Sequence, residues 1–145
     1  MYKFIIPSYK RPLIIKDKTL TLLKSLGVTK DEIEIVVEND AMKEEYLAIL
    51  GEMYRDNIIV SNTFGIQGKR NFIREYYQFQ TDYEYIICID DDIDQLYNWD
   101  TPITPSEFRD MIEDAFTKCE LEGLRIWGVS PFHNTFFMKK IDLKL

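Results

Sequence analysis

Three consecutive acids, Asp90, Asp91 and Asp92, close the apolar run "EYIICIDDDID" at residues 84–94. Adjacent like charges repel, and partial desolvation makes the repulsion worse, so a positive partner is expected in the working state. Strand alternation sends Asp90 and Asp92 to one side and Asp91 to the other. Two carboxylates with room for water suit Mg2+ or Mn2+ shared with substrate phosphates. A solvated acidic turn is the plainer reading, and the triplet alone leaves both open. Four bases add to the picture: Lys10 and Arg11 follow the first apolar run, and Lys69 and Arg70 follow the third. They could pair directly with the acids. A nucleoside diphosphate held through a metal and flanking cations would account for both sets of charges together.

The elements that must bring these residues together are legible in the hydrophobic pattern. "KFIIP" reads as a short buried strand ended by Pro7, and "IEIVVEN" (33–39), "NIIVSN" (57–62) and "EYIICID" as three more. Between them, "LIIKDKTLTLLKSLG", "MKEEYLAILGEMY" and "GKRNFIREYYQF" carry helical spacing. "TPSEF" opens a fourth helix with Thr104 as cap, Pro105 in the first turn and Glu107 three residues after the cap. Gly123 ends it, and "RIWGVSPF" reads as a fifth strand. Alternating strands and helices, with near-continuous apolar strands, predict an α/β fold whose mostly parallel sheet carries helices on both faces. Ligands of such sheets bind beyond the carboxyl ends of the strands, where "PSYKRP", "ENDA", "SNTFGIQGKRN" and "DDD" all fall.

With 145 residues, the chain is expected to form one domain spanning 1–145. A net charge of −7 excludes broad electrostatic attraction to nucleic acid or to anionic membranes. Cys88 and Cys119 read as buried free thiols of a reducing compartment. No signal peptide or membrane-length apolar run is seen, so a cytoplasmic, soluble protein is expected.

"FIIPSYKRP", "GKRNFIREYY" and "IICIDDDI" together resemble the nucleotide-sugar half of GT-A glycosyltransferases of the inverting family 2 type. "LRIWGVSPFHNTFFMKKIDLKL" looks like the TET-associated glycosyltransferase group of phages and large viruses. The resemblance covers nearly the whole chain and implies a Rossmann-like GT-A sheet that ends before the acceptor half. It implies a metal-dependent, inverting transfer from a nucleotide-sugar donor, a UDP-sugar by preference, to a hydroxyl acceptor such as a hydroxymethylated DNA base or a glycan. On that resemblance Pro7, Ser8, Tyr9 and Arg11 would line the first nucleotide loop, and Glu38 and Asp40 would face the base or ribose. Gly68, Lys69, Arg70 and Asn71 would pack near the nucleotide and diphosphate. Asp90 would approach the ribose or the metal waters, Asp92 would be the principal ligand of Mn2+ or Mg2+, and Asp91 would contact sugar or ribose. No residue matches the family's catalytic base, and the chain ends at "KKIDLKL".

Two rival functions follow from the same residues. A nucleotidyltransferase shares the sheet and the paired carboxylates, but "PSYKRP" lacks the glycines its first loop requires. A module that binds a nucleotide sugar without turnover fits a chain lacking an acceptor half. His133 is the sole histidine and reads as a loop residue. Tyr76, Tyr77 and one or both of Phe136 and Phe137 read as packing, while Trp99 and Trp127 are open between packing and stacking on a ligand.

Overall fold

Runs of β-branched residues bounded by Pro, Asn and Asp become strands here, as the pattern requires. The computed structural model describes residues 2–79, 81 and 84–129. Two compact units divide the chain, Met1–Asp94 and Gln95–Leu145.

In the first unit β1 (Tyr2–Pro7), β2 (Ile33–Val37), β3 (Ile58–Val60) and β4 (Tyr85–Cys88) form one four-stranded sheet in the order β3-β2-β1-β4. Every pairing is parallel, with Phe4 opposite Ile33 on one side and Ile87 on the other. The chain moves outward from β1 to β3, then returns across β1 to lay down β4. Right-handed crossovers place the last connecting helix on the opposite face from the first two. That helix is α4 (Gly65–Phe79), whose Ile73 and Tyr77 pack on Ile5 and Val36. Residues of the other parity, Phe4, Ile6, Ile35 and Val37, are equally inaccessible, so the sheet is covered on both faces. Tyr76 stacks on Phe72 at 5.1 Å, and Tyr77 donates to the buried Glu34 carboxylate, so both tyrosines are structural.

The first connection departs from a simple helix. It consists of α1 (Pro12–Ile15), a π-helical segment (Lys16–Leu20) and α2 (Thr21–Ser25). Gly27, at φ +76°, terminates it in the left-handed region that favours glycine. The second helix, α3 (Asp40–Leu50), is capped by the Asn39 side chain on Met42 N–H. It stops earlier than "MKEEYLAILGEMY" implies, because Gly51 adopts φ +95° and residues Glu52–Asn57 turn as 3-10 helix.

The β4 strand is half-buried, not buried as its apolar sequence implies, because it pairs only with β1 among the described residues. Cys88 is therefore exposed and Cys119 half-buried, both free, which corrects the expectation of two buried thiols. Enough protein still surrounds the Cys88 sulfur for desolvation to push its thiol up, with Asp90 adding to the shift and Arg70 opposing it.

The second unit opens with a hairpin, β5 (Tyr97–Asn98) against β6 (Thr101–Pro102), turned at Trp99 with φ +57°. Its helix, α5 (Pro105–Glu122), starts at the expected capping box and ends at Gly123. Phe108 and Ile112 on its apolar face are buried. Trp127 packs edge-on to Phe116 at 5.7 Å, which resolves that tryptophan as packing. The expected fifth strand is not formed over residues 125–129, where Ile126 is 85% exposed and, among the described residues, no neighbouring strand takes its backbone bonds. The rest of that segment, with His133, Phe136 and Phe137, lies outside the described residues.

Glu107 shows how a local motif responds to pH. Its carboxylate accepts the Thr104 hydroxyl at 2.7 Å, the Thr104 N–H at 2.9 Å and the Asn98 amide at 3.0 Å. These donors, Thr104's first, hold its carboxyl below the ordinary value of 4.5. A depressed folded-state value stabilises the fold above the unfolded value and loses that contribution as pH falls through the folded one. Urea unfolding of wild type and Glu107→Gln is expected to differ at neutral pH and to converge below the depressed value.

Candidate functional site

The strand order sets the location of the site. β1 lies between a strand reached outward and a strand reached on return, so the crevice beyond β1 and β4 is the topological switch point of the sheet. The two polypeptide segments that leave there are residues 8–11 and 89–92, and the Ile89 N–H to Ile5 carbonyl bond carries the ladder up to the acids.

The triplet divides inward and outward as expected, but it does so beyond β4, with Asp91 and Asp92 in a turn and not in a strand. Asp91 is 1% exposed and points inward, while Asp90 and Asp92 line a cleft of about 360 Å3. Inside, Asp91 ends a continuous chain of hydrogen bonds. The Arg11 backbone N–H donates to the Tyr46 hydroxyl at 3.1 Å, Tyr46 donates to Ser8 Oγ at 2.5 Å, and Ser8 donates to Asp91 Oδ2. The Arg11 guanidinium closes the loop with 2.5 Å from its Nη2 to Asp91 Oδ1, and reaches Asp92 Oδ2 with its Nη1 at 3.2 Å. Burial pushes the Tyr46 phenol up against the opposing bonds to Ser8 and Arg11, so it is a neutral donor. Asp91 thus organises the crevice from within. The expectation that it contacts sugar or ribose is corrected, because both its oxygens are already engaged in the interior.

A second anchor holds the backbone of the acid loop. Thr19, fully buried in the π-helical segment, donates its hydroxyl to the Asp90 carbonyl at 2.8 Å and accepts the Ile93 N–H at 3.0 Å. The extra residue per turn of a π segment is a recurrent device for aiming side chains at functional sites. Replacing Thr19 by Val keeps shape and leaves two backbone groups unpaired, a cost of about 2 kcal/mol. Urea unfolding of Thr19→Val should show that loss, Thr19→Ser should recover most of it, and the Ile93 amide should exchange faster only in the valine variant.

The cleft gathers most, not all, of the residues expected from sequence. Pro7, Ser8, Tyr9, Arg11, Lys69, Arg70, Asp90 and Asp92 line it together. Gly65 and Ile66, which the sequence did not single out, complete the lining and bring the amino end of α4 to the cleft. Backbone N–H groups and the helix dipole make such an end favourable for anions. Five residues fall elsewhere. Glu38 is buried beside Lys69, its Oε2 3.6 Å from the ammonium, so it neutralises the lysine and does not line the cleft. Asp40 is the exposed first residue of α3. Gly68 serves packing: a Cβ there would meet the Thr63 Cβ at 3.1 Å. Asn71 is exposed on α4 outside the lining, and Asp91 is interior.

Lys69 is 1% exposed even though it borders the cleft. The Tyr9 ring covers it, with the ammonium 4.8 Å from the ring centroid, and Lys10 approaches the same ring at 5.2 Å. Arg70 and the Asp90 carboxylate differ from their neighbours: neither takes a hydrogen bond or ion pair among the described residues. Acids and bases at this edge therefore cancel only in part. A larger groove of about 610 Å3 borders Arg74, Glu75, Gln78 and Phe79, but its two charges bind each other at 3.4 Å and it lies away from the strand ends.

Two carboxylates facing one cleft match a hard divalent ion that keeps waters and takes its remaining ligands from phosphate. Among the described residues no group of three or more His, Cys, Asp or Glu converges, so an all-protein cage is not what this site offers. A scan against family models and searches of curated proteins and of solved structures return no match to this chain. Among the described residues no helix is long and apolar enough to cross a membrane.

Proposed function

We propose that the cleft is the donor site of a metal-dependent, inverting GT-A glycosyltransferase domain that takes a nucleotide sugar, a UDP-sugar by preference. One observation carries the reading: an unpaired carboxylate, Asp90, and an unpaired guanidinium, Arg70, share one cleft at the switch point of a parallel sheet. A ligand with a metal-bound diphosphate satisfies both at once. Asp90 and Asp92 are the residues that would hold Mn2+ or Mg2+, which when bound supplies Lewis-acid stabilisation of the leaving diphosphate. Arg70 and the amino end of α4 offset the same developing charge with fixed positive groups. The half-exposed Tyr9 ring offers a flat face at the cleft wall. The acceptor is a hydroxyl, with a hydroxymethylated DNA base or a glycan as candidates; a net charge of −7 disfavours strong duplex binding through phosphates.

The lining itself favours a second reading. Its only carboxylates among the described residues are Asp90 and Asp92, both assigned to the metal, and it contains no histidine. A module that holds the donor without turnover is consistent with that set. Titration calorimetry with UDP, UDP-glucose and GDP-mannose, with and without Mn2+, tests the donor site. Metal-dependent binding of one nucleotide is the expected result, and no binding by a folded chain would sink the proposal. Release of sugar from the bound donor then separates the enzyme from the binding module.

A further inference from the structure

We infer that Arg11 is a built-in counter-cation that competes with the divalent ion for Asp92 and thereby couples metal binding to diphosphate binding. The inference rests on the donor-site reading above and concerns the order and strength of its two ligands.

The two contacts of the Arg11 guanidinium are unequal. Its Nη2 lies 2.5 Å from Asp91, whose side chain is 1% exposed, and its own backbone N–H is held by Tyr46 at 3.1 Å. Its Nη1 lies 3.2 Å from Asp92 Oδ2, with both side chains 45% exposed. Exposed ion pairs contribute little, whereas buried and fully hydrogen-bonded ones are costly to break. The Asp92 contact is therefore the one that yields. A divalent ion on the same carboxylate meets a guanidinium already there, and the two cations repel at contact distance.

Displacement does not release Arg11 from the site, because Asp91 and Tyr46 still hold it. The freed N–H groups remain at the cleft lining, where water can accept from them but only an anion also offsets their charge. A diphosphate arriving with the metal supplies that anion. Metal alone must displace the arginine without compensation, while metal and diphosphate together give it a new partner. The coupling is reciprocal, so each ligand tightens the other. Arg11 also eases the electrostatic problem of the triplet, since one fork pairs with two of its three acids and offsets one of their charges before any ligand binds.

Removing the guanidinium then has opposite effects on the two ligands. Calorimetry of MnCl2 alone, and of UDP at saturating Mn2+, would be run on wild type, Arg11→Gln, Arg11→Lys, Asp92→Asn and the double variant Arg11→Gln/Asp92→Asn. In Arg11→Gln, Mn2+ alone is expected to bind about tenfold tighter, and UDP about tenfold weaker. Arg11→Lys keeps a cation on Asp91 but lacks the second prong, so it is expected to tighten Mn2+ as well, by a smaller factor. It serves as the reporter if Arg11→Gln fails to fold. The gain in Mn2+ affinity should vanish in the double variant, which places the competition at Asp92. Unchanged or weaker Mn2+ binding in the folded variants overturns the inference while leaving the donor site standing. A wild-type chain that binds neither Mn2+ nor UDP overturns the donor site itself, and this inference with it.

Discussion

Asp92→Asn is expected to weaken Mn2+-dependent UDP binding by about 100-fold, roughly 2.7 kcal/mol, while leaving the fold unchanged. Changes one shell away from a metal already cost about 10- to 100-fold in affinity, so loss of an anionic oxygen ligand belongs at the upper end of that range or beyond it. The fold should tolerate the change because the Asp92 side chain is 45% exposed and its single ion pair, with Arg11, is a surface contact. Asp90→Asn is expected to act in the same direction, since that carboxylate lines the same cleft and has no partner to lose. The measurement is titration of UDP into each variant at fixed Mn2+, with the thermal midpoint as the control. Wild-type affinity in a folded Asp92→Asn protein would remove the metal from the proposed function.

Asp91 is expected to behave in the opposite way, destabilising the fold when replaced and carrying no direct ligand contact. Asp91→Ala removes the acceptor at the end of the Arg11–Tyr46–Ser8 chain and takes the partner from the Ser8 hydroxyl and from one edge of the Arg11 guanidinium. Breaking a buried pair costs about 3 to 5 kcal/mol, and the 45% exposure of Arg11 places this one near 3 kcal/mol. Ser8→Ala should cost less, about 1 to 2 kcal/mol, because Asp91 keeps Arg11 while Tyr46 loses its acceptor. Urea denaturation of Asp91→Ala beside Asp92→Ala provides the comparison: a large shift in the first and little in the second. Equal shifts would mean that the inward and outward acids have no separate roles. Neighbours in sequence would thus divide two tasks, one holding the crevice and one facing it.

Much of this arrangement is legible in the chain because its causes are local. The β-branched runs name all four strands of the sheet, though "NIIVSN" and "IEIVVEN" shorten to Ile58–Val60 and Ile33–Val37 where polar residues leave the ladder. The split of Asp91 from Asp90 and Asp92 has the period of two expected from sequence, although the acids lie beyond β4, with Asp91 and Asp92 in a turn. Thr104, Pro105 and Glu107 announce α5 because a capping box is completed within four residues. The rule that ligands gather beyond strand ends then brings Pro7 to Arg11, Lys69, Arg70 and the acids to one edge before any coordinates are known.

What only the tertiary structure decided are contacts between residues far apart in the chain. Tyr46 looks like any apolar residue on an amphipathic helix, and its hydroxyl acquires meaning only when β1 brings Ser8 beside it. Thr19 fits a helical stripe, but the π-helical turn that aims it at the acid loop has no signature in a pattern of 3.6. Glu38 and Asp40 follow a strand as binding residues would. Yet a buried ammonium from α4 takes the first, and the start of α3 takes the second. The sequence by itself determined the four strands of the sheet and the capped helices, because pleat and cap energies act within a few residues. Which acids are already neutralised, and so which remain for a ligand, was decided only by the packing of β1, α3, α4 and β4, because charge pairing depends on distances in space.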